Sequence, residues 1–229
     1  MDIDWAPDYM IEHSLNFFRD NNIKCTVFAT HKTKTLNDLD ENLFEIGIHP
    51  NFNFILNGKK RDCSKKIISE LLELFPGALG VRSHSMTTSS VLLNEFHNLG
   101  LKYESNIFLP YNWQIKPHLS WNKLLRIPYN WEDDIHFMYN NSFESGLNLN
   151  NKNFYVLNFH PIHIFLNTKS QEHYIKAKAK IEMERVPKMD KKIIKNLVNK
   201  EAGVKSFLIK TINKIKTQNL NTGLLKDLL

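Results

Sequence analysis

The side chains of this chain that could do chemistry are few and scattered. Asp2 and Asp4 stand at its start, His49, Arg82 and His84 lie in the first half, and His160 and His163 in the second. Carboxylate, imidazole and guanidinium groups together are the make-up of a hydrolytic metal centre. Oxygen and nitrogen donors hold a divalent ion, a carboxylate takes a proton and a protonated imidazole returns one. Each residue also has a plainer reading. Asp2 and Asp4 suit surface or capping carboxylates, and Asp8 after Pro7 reads as a helix N-cap. His49, just before Pro50, closes an apolar run as a satisfied core histidine would. His163 reads as a packing or outward-facing side chain. The run Arg126 to Glu132 with Asp133 and Asp134 reads as an exposed acidic loop with aromatics at its rim. Aromatics beside carboxylates also suit stacking on sugar rings, which brings in Trp5, Trp113, Trp121 and Trp131, residues that equally suit core or rim packing.

The candidates gain weight from where they fall. Apolar β-rich runs alternate with helix-period runs, the pattern of an α/β protein with parallel strands. The spacing predicts strands at 25–29, 44–49, 80–82, 102–105, 124–129 and 154–160. Helices follow from Ile11, Leu15 and Phe18, from Ile67, Ile68, Leu71 and Leu72 after Ser64, and from Val91, Leu92, Phe96 and Leu99 after Ser89 and Ser90. Gly100 closes the last of these. In such a fold the ligand site collects at the C-terminal strand ends. Asp2 and Asp4, His49, Arg82 and His84, Glu104 or Ser105, and His160 all fall at such ends. After Thr168 the chain reads as helical, with a break at Pro187 and a last amphipathic helix after Gly203. The expected division is 1–168 for the catalytic unit and 169–229 for a helical segment packed on it.

Composition removes several classes. Among 229 residues, 42% are hydrophobic and 24% charged, which is ordinary globular usage. No apolar run approaches the ~18 residues of a membrane helix, so no membrane span is expected. Two cysteines, Cys25 and Cys63, make no disulfide framework, and Met1 to Asp4 has no leader pattern; both predict a cytoplasmic protein. Residues 171–229 carry 14 basic and 6 acidic side chains, a balance of +8, against 16 and 18 elsewhere. Their lysines interleave with Ile209, Ile212 and Ile215 at helical spacing, so a solvated helix face is expected and no nucleic-acid partner.

Taken in order, the motifs resemble the polysaccharide deacetylases, the NodB-homology domain of carbohydrate esterase family 4. The narrower likeness is to the divergent proteins of surface-polysaccharide (O-antigen) biosynthesis clusters. The likeness rests on Asp2-Ile3-Asp4-Trp5, Glu45-Ile46-Gly47-Ile48-His49, Val81-Arg82-Ser83-His84-Ser85, Leu99 to Asn106, and Leu157-Asn158-Phe159-His160, and runs from Asp2 to about His163. It implies a distorted (β/α)7 barrel, one divalent metal, usually zinc, and hydrolysis of an acetyl group on an acetylated carbohydrate. By position it implies Asp2 as general base, Asp4 and His49 as metal ligands, Arg82 as the residue holding the base, and His160 as general acid.

The chain departs from the family pattern in three places. Asn53 stands where the family has its second metal histidine; Asn53 and His84 are both candidates for the third ligand. The first strand is truncated, leaving Asp2 on a terminus expected to fray and lowering stability or activity. The segment after Thr168 is longer and more basic than a minimal barrel needs, and could close the barrel, cover a side or form a partner surface. Three other readings remain open: a metal-poor amidohydrolase on another C–N bond, a non-catalytic glycan-binding relative, and nucleic-acid binding through the basic tail.

Overall fold

Cys25–Ala29 (β1) is a continuous run of five buried residues, which is how a strand covered on both faces reads. Around it, the computed structural model describes residues 1–58, 63–183 and 196–229 as alternating strands and helices. The break expected at Pro187 lies outside the described residues. The further strands are Phe44–Ile48 (β2), Gly80–Val81 (β3), Tyr103–Glu104 (β4), His118–Leu119 (β5), Leu125–Arg126 (β6), Trp131–Glu132 (β7) and Leu157–Asn158 (β8). The helices are Asp8–Asn21 (α1), Asn53–Leu56 (α2), Ser64–Leu74 (α3), Ser90–Asn98 (α4), Asp133–Met138 (α5), Pro161–Leu166 (α6), Gln171–Met183 (α7) and Val204–Thr217 (α8). None of the described helices is long and apolar enough to cross a membrane.

The main sheet runs β1-β2-β3-β4-β6-β5, parallel except for the edge strand β5, and β7 pairs with β8 in parallel. The strand expected at 124–129 is divided by Pro128, which has no N–H to give a ladder. Before it, β6 pairs with β4; after it, Asn130 N–H donates to Val156 O at 3.1 Å and the chain changes partner. The other seam is filled by residues 1–3. Met1 O accepts from Phe28 N, Ile3 N donates to Phe28 O, and Asp2 N donates to Phe159 O at 3.1 Å. The terminus expected to fray is therefore held between β1 and β8, with Met1, Asp2 and Ile3 all buried. The main sheet and the β7–β8 pair are thus linked through residues 1–3 and 129–130 rather than by continuous ladders, a distorted barrel.

Phe28, Tyr103, Ile127, Tyr129, Val156 and Leu225 fill the interior. Glycines at 47 and 80 make room for it. A Cβ on Gly47 would sit 2.7 Å from the Phe28 ring, and one on Gly80 would sit 1.9 Å from Tyr103 Cζ. The chain's end closes the N-terminal mouth of the barrel. Leu225 N–H donates to Thr26 Oγ1 and Lys226 N–H to Glu45 Oε2. Glu45 also accepts from Thr26 and from the Tyr103 hydroxyl, which satisfies a buried carboxyl. The α8 helix covers one side, its Phe207 ring stacked 4.9 Å from Trp131.

Candidate active site

At the opposite end, strand termini bring the polar side chains together. Asp4 follows the residue 1–3 strand with φ of 45°, in the left-handed region that aspartate tolerates better than most residues. The Thr30 hydroxyl bonds its carbonyl. His49 ends β2, buried, with its N–H on Ala29 O. His84 N–H donates to Pro50 O, tying the loops after β2 and β3 together, and Ser85 and Met86 follow at φ of 57° and 54°. These turns point both imidazoles at one oxygen. Asp4 Oδ1 lies 3.3 Å from His49 Nε2 and 3.1 Å from His84 Nδ1. Burial opposes the Asp4 charge, but hydrogen bonds from His49 and His84 and the charges of His160 and His49 outweigh it, and the carboxyl is held well below its usual range. Asn53, the alternative candidate, turns its amide to Ser85 Oγ at 3.1 Å.

Beside this trio lies a buried ion pair. Arg82 Nη1 donates to Asp2 Oδ1 at 3.0 Å, while Nε and Nη2 donate to the Ser105 carbonyl and hydroxyl. The guanidinium is held between the Phe28 and Tyr129 rings, 4.6 and 4.4 Å from their centres. Gly47, by admitting Phe28, thus helps to place Arg82. Asn158 donates to Asp2 Oδ2 at 2.8 Å. Burial raises the Asp2 pKa, but Arg82, with His49, the N-terminal ammonium and His160, brings it down to about 2.

His160 caps α6. Its N–H donates to Asp133 Oδ2 and its Nδ1 lies 2.7 Å from Asp133 Oδ1, which leaves Nε2 free on the side of Glu132. Burial works against its charge, but Asp133, through both charge and hydrogen bond, and then Asp4 and Asp134 raise its pKa well above the histidine norm. An imidazolium with one nitrogen fixed and the other free suits a general acid.

A family model described as WbmS-like polysaccharide deacetylase matches residues 1–178. The chain belongs to the WbmS-like polysaccharide deacetylases. This deacetylase is similar to a solved structure from Bordetella bronchiseptica, that of a proposed polysaccharide deacetylase involved in O-antigen biosynthesis. Identity is 33%, coverage 93% of this chain and 88% of that one, and the TM-score 0.84. A second solved structure, from Mycobacterium smegmatis and described in the same terms without the pathway, shares 14% identity. It covers 96% of this chain and 82% of its own at a TM-score of 0.45. No curated protein matches.

The candidate site brings together residues that reading the sequence missed. The exposed acidic loop expected after Arg126 is in fact buried strand and helix start: Trp131, Glu132 and Asp133 are all buried. The signal was available, since these residues also follow an apolar β run, but three consecutive acids suggested solvent. Asp8 is the first residue of α1 rather than its cap and accepts from Thr33 Oγ1. His163 lies on α6, not on a strand, and is buried against Phe137 and Tyr174 with Nδ1 near Thr168 Oγ1. Of the tryptophans, Trp5 stands half exposed with its ring 5.0 Å from His84, whereas Trp131 is core.

Proposed function

We propose that this chain is a divalent-metal-dependent hydrolase, with zinc the metal, that removes an acetyl group from an acetylated sugar or surface-polysaccharide precursor. The observation that carries the reading is the convergence of His49 Nε2 and His84 Nδ1 on Asp4 Oδ1 beside the Asp2–Arg82 pair. The donor set fits the ion. Donors on ~2.0 Å bonds in a tetrahedron stand roughly 3.3 Å apart, the spacing found here from Asp4 Oδ1 to each imidazole, and one carboxylate with two imidazoles leaves a position open for substrate. Such an ion supplies Lewis acidity, polarising the acetyl carbonyl and acidifying water.

The chain's own residues divide the proton work. Asp2 is ionised at neutral pH and is the general base. Arg82 holds it at a fixed angle with a charge-assisted bond. His160, protonated and oriented by Asp133, delivers a proton to the leaving nitrogen or oxygen. Trp5, at the rim, offers a face for the sugar ring.

The test is acetate release from acetylated glucosamine oligosaccharides by zinc-loaded protein. A chelator and the variants Asp4→Ala, His49→Ala and His84→Ala are expected to cut turnover about 100-fold or more, and Asn53→Ala far less. Turnover that survives the chelator, or a fully active His84→Ala, would overturn the metal assignment.

A further inference from the structure

One carboxyl at the end of β7 belongs to neither the donor trio nor the acid–base pair described above. Glu132 is buried; its Oε2 accepts from the Tyr129 hydroxyl at 3.2 Å and its Oε1 from the Asn158 amide at 3.1 Å. The same amide nitrogen donates to Asp2 Oδ2. Glu132 Oε1 stands 3.8 Å from His160 Nε2, the nitrogen that Asp133 leaves free. Donor atoms of Asp2, Glu132 and His160 all lie within 4.8 Å of one another. A further carboxyl therefore stands within reach of both base and acid, next to the atom that must give up a proton in each cycle.

Its chemistry differs from its neighbours'. Burial, then the negative charges of Asp134, Asp2 and Asp133, push Glu132 up to about 8 against the pull of His160. Glu132 therefore holds a proton far more readily than Asp2 does. His160 is nearly enclosed, so a proton already in place beside Nε2 can replace the one it delivers while products still occupy the site. Asp133 cannot supply it, because it holds the opposite nitrogen.

Resting on the assignment of His160 as general acid, we propose that Glu132 is a positioning residue that acts through His160, reloading it after each proton delivery. When the imidazolium has given its Nε2 proton to the leaving nitrogen or oxygen, Glu132 passes its carboxyl proton to Nε2. That step makes a Glu132 carboxylate and restores the imidazolium. The carboxylate regains a proton from water as products leave, and Asp2 releases to water the proton it took, so the cycle conserves protons. The 3.8 Å gap is of the kind that closes when substrate binds.

The test separates reloading from simple anchoring by the leaving group. Zinc-loaded wild type and Glu132→Gln, which keeps the shape and loses the proton, are compared on ethyl acetate and 4-nitrophenyl acetate. Nitrophenolate leaves without a proton and does not discharge His160; ethoxide needs one. Reloading predicts that the ratio of ethyl to 4-nitrophenyl turnover falls about 10-fold or more in Glu132→Gln, the scale of general-acid effects. It also predicts that ethyl acetate gives one rapid turnover per site before the slow phase. Equal losses on both esters, with the ratio held at the wild-type value, would make Glu132 an anchor for Tyr129 and Asn158 and overturn the proposal. Should Glu132→Gln not fold, Glu132→Asp, which draws the proton back from Nε2, must lower the same ratio; a wild-type ratio there overturns it equally. Wild-type protein that hydrolyses neither ester nor any acetylated sugar would instead overturn the deacetylase assignment, and the reloading role with it.

Discussion

Replacing Arg82 by methionine should cost more stability than any other single change in the site, and the cost should depend on pH in a defined way. Arg82 is almost fully buried and makes three hydrogen bonds, to Asp2 Oδ1 at 3.0 Å, Ser105 O at 3.0 Å and Ser105 Oγ at 2.9 Å. Methionine fills part of the slot between Phe28 and Tyr129 but leaves Asp2 as a buried carboxylate with Asn158 as its remaining side-chain donor. Breaking one side of such a pair costs roughly 3–5 kcal/mol, a large share of the ~5–15 kcal/mol that holds a domain together. In the wild type, Asp2 is lowered from 3.8 to about 2, so its contribution of about 2 kcal/mol is complete above pH 3.8 and is lost as pH falls through 2. Without Arg82 the burial effect dominates and the Asp2 pKa rises above 3.8. The fold then gains on acidification what the wild type loses, and the difference between the two proteins narrows from pH 7 to pH 3. Urea unfolding of zinc-free protein at several pH values measures this, and Asp2→Asn combined with Arg82→Met should recover part of the loss. A penalty under about 1 kcal/mol, a penalty that does not change with pH, or a double variant no better than Arg82→Met alone would refute the reasoning.

Two further outcomes follow from the core. Gly80→Ala puts a Cβ 1.9 Å from Tyr103 Cζ and should cost roughly 3 kcal/mol or more, at the upper end of overpacking; thermal melts should show partial recovery when Tyr103→Leu is added and none with Tyr103→Phe. His163 is lowered from 6.5 to about 4, chiefly by burial, so the fold keeps it neutral while the unfolded chain protonates it. Stability should therefore fall by up to about 3 kcal/mol as pH drops from 6.5 to 4, and a His163→Gln variant measured over the same range should show a correspondingly shallower slope.

What could be read in advance was whatever depends on local pattern. Five buried residues in a row at 25–29 and the helix-period runs at 67–72 and 91–99 named their elements, and the strand-end rule then gathered Asp4, His49 and His84 into one region. Partner choice across space could not be read. Whether Asn53 or His84 meets Asp4 depends on two left-handed residues at 85 and 86, and nothing in Ser85-Met86 signals that conformation, since neither is glycine or asparagine. The seams were equally hidden. A two-residue pairing such as β5, or the three residues that wedge the terminus between β1 and Phe159, carries too little periodicity to register.

The acidic run 132–134 fails for a different reason, and the reason bears on function. Composition treats three adjacent carboxyls as a solvated face, because in isolation none could be buried without cost. Glu132 and Asp133 are buried and Asp134 half-buried here because the barrel end supplies compensation one residue at a time. Asp133 is bonded by His160 through N–H and imidazole, Asp134 accepts from the backbone N–H of Ile135, and Glu132, with only neutral donors, keeps its proton. Arg82 offsets Asp2 and the His160 imidazolium offsets Asp133, but the partners of Asp4 among the described residues are two imidazoles sharing one oxygen. Under the proposed function a divalent cation at Asp4 would complete the charge balance, and Asn158, joined to both Asp2 and Glu132, holds the proposed base against the carboxyl beside His160.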